Sequence, residues 1–150
     1  MENSETSFVY MVKCEDGSLY TGITKDVKKR MGEHFFKTQK GAKYTKSRQV
    51  TEIMMVWEAA SFSSAARLEY AIKRLARKDK LDLIKNPMEK LGILIPKLSE
   101  ETYIPRTEYV MEISRLLEPL ANWKNLPGNK GKPLINILSF DKMKGSDNIK

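Results

Sequence analysis

The chain has 150 residues, 31% of them charged, with 27 Lys+Arg against 19 Asp+Glu and a formal net charge of +8. That length fits one domain of ordinary size with an appendage and excludes two full domains, while the positive balance favours a polyanionic partner, nucleic acid ahead of an anionic membrane. A single cysteine, Cys14, excludes an internal disulfide framework, and with the lone His34 it cannot furnish a structural zinc site.

The opening MENSETS is polar and acidic, unlike a signal or transit peptide. No apolar run approaches the roughly 20 residues needed to span a bilayer, so a soluble, cytoplasmic protein with no membrane partner is expected. SFVYMVKC (7–14) and SLYTGIT (18–24) are rich in β-branched and aromatic residues and flank a turn signal, EDGS, which predicts a β-hairpin. Two loop lengths are open to it. A two-residue Asp16-Gly17 loop would put Tyr10 and Tyr20 on opposite faces, since strand side chains alternate. A three-residue loop, Glu15-Asp16-Gly17, with Gly17 in the left-handed region, would set Val12 against Tyr20 and Tyr10 against Gly22, both phenols on one face. Glycine at the third loop position and a side-chainless Gly22 beside the Tyr10 ring favour the second arrangement.

TKDVKKRMGEHFFK follows as an amphipathic helix, with Asp26 or Thr24 as N-cap and Val27, Met31 and Phe35 on one face. KTQKGAKYTKSRQ (37–49) reads as a basic loop, and VTEIMMVWEAA (50–60) as a third strand. A serine-capped helix then carries Ala65, Leu68, Ile72 and Leu75 on one stripe and bends near Arg77 into a short helix ending before Pro87. Beyond it, 107–123 has a helical stripe of Val110, Ile113, Leu117 and Leu120, with Pro119 expected to disturb the last turn. PLINILSF (133–140) could form a further strand ahead of a polar tail.

Charge is uneven along this order. Residues 1–87 hold 17 Lys+Arg against 11 Asp+Glu, and 88–150 hold 10 against 8, which assigns the polyanion site to the first part. Within it, Lys28, Lys29, Lys43, Lys46 and Arg48, beside aromatic Tyr44, suit phosphate contacts with base stacking. Lysines on a helix are also, commonly, only a solvated face.

The residues so placed resemble the GIY-YIG nuclease superfamily, in its small stand-alone bacterial branch. Phe8-Val9-Tyr10 matches the first family tripeptide, Tyr20-Thr21-Gly22 the second, and Arg30 the arginine ten residues beyond the second tyrosine. CEDGSLYTGIT, RMGEH, GAKYTKSR and ARLEYAIKRLARKDKLDLI extend the likeness over residues 8 to about 85. The resemblance implies a mixed α+β fold, a three-stranded antiparallel sheet flanked by helices, occupying 1–87, with 88–150 as a C-terminal extension of unknown role. It also implies hydrolysis of phosphodiester bonds in DNA, RNA not being excluded, with Glu69 as ligand of a single Mg²⁺ or Mn²⁺. Arg30 would hold the scissile phosphate, and one of Tyr10 and Tyr20 would activate or orient water. A phenol acting as base near neutrality needs cations beside it, which the basic cluster would supply.

Each of these residues has a plainer reading. Both tyrosines could be sheet aromatics, and Glu69 could simply pair with Lys73 at i, i+4. His34, one turn after Arg30, could orient phosphate, shuttle a proton or lie idle on the helix surface. Ile23 stands where many catalytic members carry lysine, with Lys43 and Lys73 as candidates to replace it, and Asn86 is the nearest match to a late asparagine. The favoured function is a metal-dependent DNA endonuclease, on branched or single-stranded forms. The alternatives are a noncatalytic nucleic-acid-binding module and an adaptor that docks a protein partner through the 107–123 helix of the 88–150 segment.

Overall fold

In the computed structural model, which describes residues 6–36, 49–98 and 101–124, the chain opens with strands β1 (Ser7–Cys14) and β2 (Leu19–Thr24). The turn between them is the three-residue one. The Cys14 carbonyl accepts from the Gly17 N–H at 2.8 Å, the Cys14 N–H reaches the Ser18 carbonyl at 2.9 Å, and Gly17 has a φ of 87°. Val12 therefore opposes Tyr20 and Tyr10 opposes Gly22. Close approach makes glycine necessary at 22: a Cβ there would collide with the Tyr10 hydroxyl and lie 2.6 Å from its Cζ.

Helix α1 (Val27–Phe36) starts from Asp26, whose carboxylate accepts the Lys29 N–H at 3.1 Å and so supplies the N-cap. Thr24 shapes the preceding turn instead, accepting the Asp26 N–H at 3.0 Å. Val27, Met31 and Phe35 are buried, as their spacing predicts. Strand β3 (Val50–Ala59) then pairs antiparallel with the other side of β1. Between Met11/Met55 and Val12/Ile53 the register shifts by one residue at Met54. That bulge lets Ile53 and Met55, two apart in sequence, enter cores on opposite faces of the sheet.

Ser61 caps α2 (Phe62–Lys73), accepting the Ser64 N–H at 3.1 Å, and α3 (Arg77–Lys85) follows after a bend. Next come α4 (Glu89–Leu94), a single 3-10 turn (Pro96–Leu98), β4 (Tyr103–Pro105) and α5 (Thr107–Lys124). The sheet order is β2-β1-β3-β4, so the expected mixed α+β class holds but the sheet has four strands among the described residues rather than three. β4 has three residues and ends in proline, too short for alternation to register in the sequence. It is a strand because Tyr103 and Pro105 pair with Ala59 and Trp57. Its Tyr103 hydroxyl donates to the Ser64 carbonyl at 2.8 Å. Pro119 does not end α5, which continues to Lys124; proline removes one internal N–H without preventing the next turn. The strand expected at 133–140 lies outside the described residues.

Successive residues of β1 feed two cores. Val9 and Met11 meet Leu68, Ile72 and Leu83 from α2 and α3, while Tyr10 and Val12 meet Met31 and Ile113 from α1 and α5. A central strand covered on both faces needs an almost unbroken apolar run, and β1 has one. Residues beyond 87 are thus built onto the sheet. Trp57 Nε1–H donates to the Pro87 carbonyl at 3.1 Å, and Arg106 bonds Glu58 at 2.6 Å.

Candidate active site

Tyr10 and Tyr20 share the sheet face that α1 covers, with ring centroids 6.3 Å apart. Helix α1 brings His34 between them, its ring 5.4 Å from that of Tyr10 and 5.8 Å from that of Tyr20. Arg30 is one turn earlier on the same helix, so both project towards the phenols. The Tyr10 oxygen lies 2.7 Å from His34 Nε2 and 3.3 Å from Arg30 Nε. Arg30 donates to the Tyr10 oxygen, and that oxygen and His34 Nε2 share a hydrogen bond whose direction follows the imidazole tautomer. Glu33 takes the Arg30 Nη1–H at 2.7 Å and orients the guanidinium.

Electrostatics fixes these protonation states. Burial, reinforced by the Arg30 charge, pushes His34 down to about 3, so its ring is neutral at physiological pH. Burial also raises Tyr10 well above the ordinary phenol value, outweighing the Arg30 hydrogen bond and charge that act in the other direction. Of the two phenols, Tyr10 is thus the one held in its protonated form. Tyr20 is half-buried on the edge strand β2.

The second half of the site comes from α2, on the opposite face, reaching round the β2 edge. Lys73 Nζ sits 5.8 Å from the Tyr20 ring centroid and 3.1 Å from the Glu69 carboxylate, whose charge is felt at Tyr10. No group of three or more His, Cys, Asp or Glu able to close around a metal occurs among the described residues. A single, largely shielded carboxylate that already holds a cation beside two phenols does fit the sparse oxygen donor set of Mg²⁺ or Mn²⁺. Such ions bind through one or two carboxylates, substrate phosphate and water. Glu69 would be the ligand.

Sequence reading brought together Tyr10, Tyr20, Arg30, His34, Glu69 and Lys73, and these do converge. Lys28 does not join them: only 4% exposed, it bonds Glu112 of α5 at 2.6 Å, which corrects its expected place on the phosphate-facing surface. Its neighbour Lys29 is exposed. Lys43, Tyr44, Lys46 and Arg48 lie outside the described residues. Asn86 is the exposed C-cap of α3, its carbonyl accepting from Lys90. Two partners went unread, Glu33 and Glu112. The first was signalled by its i, i+3 spacing from Arg30; the second, 84 residues from Lys28, had no local signal.

A hairpin that pairs two tyrosines, a helix that adds arginine and histidine, and a glutamate on the next helix define a domain of the GIY-YIG nuclease class. The chain belongs to this family: the model described as the GIY-YIG catalytic domain matches residues 6–82. A UPF0213 protein of Fusobacterium nucleatum is 48% identical over 80 residues, 53% of this chain and 78% of that one. A Staphylococcus aureus UPF0213 protein is 46% identical over 81 residues, covering 54% and 96%. The solution structure of a UPF0213 protein from Bacillus halodurans is 35% identical and covers 60% of this chain and 97% of its own, with a TM-score of 0.34. No helix among the described residues is long and apolar enough to cross a membrane.

Proposed function

We propose that this protein is a metal-dependent endonuclease that hydrolyses phosphodiester bonds in DNA, acting on branched or single-stranded forms. The observation that carries the reading is the meeting, at the β2 edge, of Arg30, His34 and two phenols from one layer with Glu69 and Lys73 from the other. No packing requirement of the sheet explains a carboxylate and an ammonium brought to the same two tyrosines.

Arg30, held by Glu33 and Tyr10, offers an oriented positive charge to the scissile phosphate. Tyr10 and neutral His34 form a proton-bearing pair that keeps Arg30 and the phosphate in register. Tyr20, the half-exposed phenol, meets the attacking water. Glu69 would hold Mg²⁺ or Mn²⁺, which supplies charge stabilisation to the phosphate oxygens when bound. Lys73, beside Tyr20, adds cationic support where Ile23 leaves none. Residues 1–87 make up the nuclease domain in this reading, and the segment from 88 braces it.

Cleavage and binding of labelled single-stranded, duplex and branched DNA are to be followed together for wild type and Glu69→Gln, with Mg²⁺, Mn²⁺ or chelator. Cleavage by wild type alone, lost with chelator while binding persists, is the expected result. The Glu69–Lys73 ion pair favours a second reading, a noncatalytic DNA-binding module in which that carboxylate is already satisfied. It predicts equal binding and no cleavage from both proteins.

A further inference from the structure

On the far side of α2 from Glu69 a groove of about 560 Å³ runs between that helix and the segment around Leu94–Leu98. Its floor is apolar, formed by Ala71, Leu75, Ile95 and Pro96 among others. Tyr70 stands at its wall, 65% exposed, an unusual state for so large a ring. Arg74 stacks on that ring with its guanidinium carbon 5.4 Å from the centroid and donates to the Tyr70 hydroxyl at 3.3 Å. Arg67 also lines the groove but is held by Glu101 at 2.8 Å, so the charge left at the rim is that of Arg74 and Lys97.

We propose that this groove receives an unpaired nucleotide of the DNA substrate, its base stacked on Tyr70 and its phosphate met by Arg74 and Lys97. The inference rests on the nuclease reading and deepens it, because it makes a single-stranded flank part of what the protein recognises. Three observations bear on it. An exposed aromatic ring with a guanidinium on it is a platform for a base, which any base can use because each has a π-face. The rim carries Arg74 and Lys97, complementary to a phosphodiester chain. The groove and the candidate active site lie on two sides of one helix, α2, which carries Glu69 and Lys73 on one side and Tyr70 and Arg74 on the other. Positions 69 and 70 are adjacent on a helix whose diameter is about 10–12 Å, so a strand leaving the phosphate at Arg30 reaches Tyr70 by crossing that helix once.

The test compares fluorescence anisotropy of a blunt duplex and of the same duplex with a single-stranded flank, in chelator, using the full chain and its Tyr70→Ala and Tyr70→Trp variants. Tyr70 is exposed, so neither substitution threatens the core. Tyr70→Ala should weaken the flanked duplex about 10-fold or more and leave the blunt one within about 2-fold, with Tyr70→Trp close to wild type. A 5-iodouracil placed in the flank should crosslink to the peptide containing Tyr70. Equal affinities of Tyr70→Ala and wild type for the flanked duplex would overturn the proposal; if wild type still cleaves, the nuclease reading survives that result. Wild type that neither binds nor cleaves any DNA would sink both. A dimer in sedimentation that Tyr70→Ala dissociates would assign the groove to a second copy and equally overturn it.

Discussion

The Tyr10 hydroxyl shares a hydrogen bond with His34 Nε2 across 2.7 Å, and Arg30 Nε donates to the same oxygen. One buried phenol is thereby the hinge between a neutral base and a permanent cation, and its two bonds separate the tasks of the two tyrosines. Tyr10→Phe leaves His34 Nε2 and the Arg30 donor without that oxygen, at an expected cost of about 1–3 kcal/mol of stability. Tyr20→Phe, at the half-buried phenol of the edge strand, should cost less stability than Tyr10→Phe yet slow single-turnover cleavage about 100-fold or more. Urea unfolding and rapid-quench kinetics on the two variants check the division; a Tyr20→Phe protein with full turnover would remove Tyr20 from the chemistry.

His34 titrates at about 3 when folded, against 6.5 for the free side chain. Above pH 6.5 the ring is neutral in both states and contributes no pH dependence. Below it the unfolded chain takes up a proton that the folded chain refuses, so stability falls as pH drops from about 6.5 towards 3, approaching about 1.4 kcal/mol per pH unit for this site. His34→Gln keeps a hydrogen-bonding group for Tyr10 but cannot titrate. Its unfolding midpoint should therefore fall less steeply than that of wild type over this window, and parallel slopes would mean that His34 protonates freely.

Lys28 and Glu112 are unequal partners, 4% and 42% exposed. Glu112→Ala removes the carboxylate bonded to a buried ammonium and should cost up to about 3 kcal/mol, discounted for the water that already reaches the carboxylate. Lys28→Met, which replaces the stem with an apolar chain and leaves a solvated carboxylate, should cost under about 1 kcal/mol. Because Lys28 faces α5 rather than phosphate, Lys28→Met should leave the slope of log affinity for DNA against log salt unchanged, whereas a phosphate contact would take about 0.9 from it.

At Gly22 a methyl group would enter the space of the Tyr10 hydroxyl. Gly22→Ala is expected to destabilise by about 1–3 kcal/mol. Any cleavage should fall further than stability accounts for, because the displaced phenol loses His34. Differential scanning calorimetry beside cleavage at a temperature where the variant is folded separates the two effects.

The parts of the fold that the sequence disclosed are those with local causes. Gly17 fixes a loop that fixes the register of Tyr10 and Tyr20, and Asp26 and Ser61 mark helix starts with side chains that bond two or three residues on. Arg30, Glu33 and His34 share one helix face by spacing alone. What stayed hidden depends on distant pairing. Tyr103–Pro105 is a strand only because β3 lies beside it, and Lys28 looks like any surface lysine until Glu112 arrives on α5. The division between the two tyrosines was hidden for the same reason: charge is visible in a sequence, but burial, which dominates at Tyr10, belongs to the assembled layers.

Pro105 closes β4 at the outer margin of the sheet, opposite Trp57. A proline at that position has no N–H to offer, so a foreign strand arriving there finds the hydrogen-bonding ladder interrupted. The short terminal strand thus guards the molecule against edge-to-edge aggregation. An engineer shortening this protein to the length of its relatives would uncover the flank of β3, and would need to put a charge or another proline there to keep the product monodisperse.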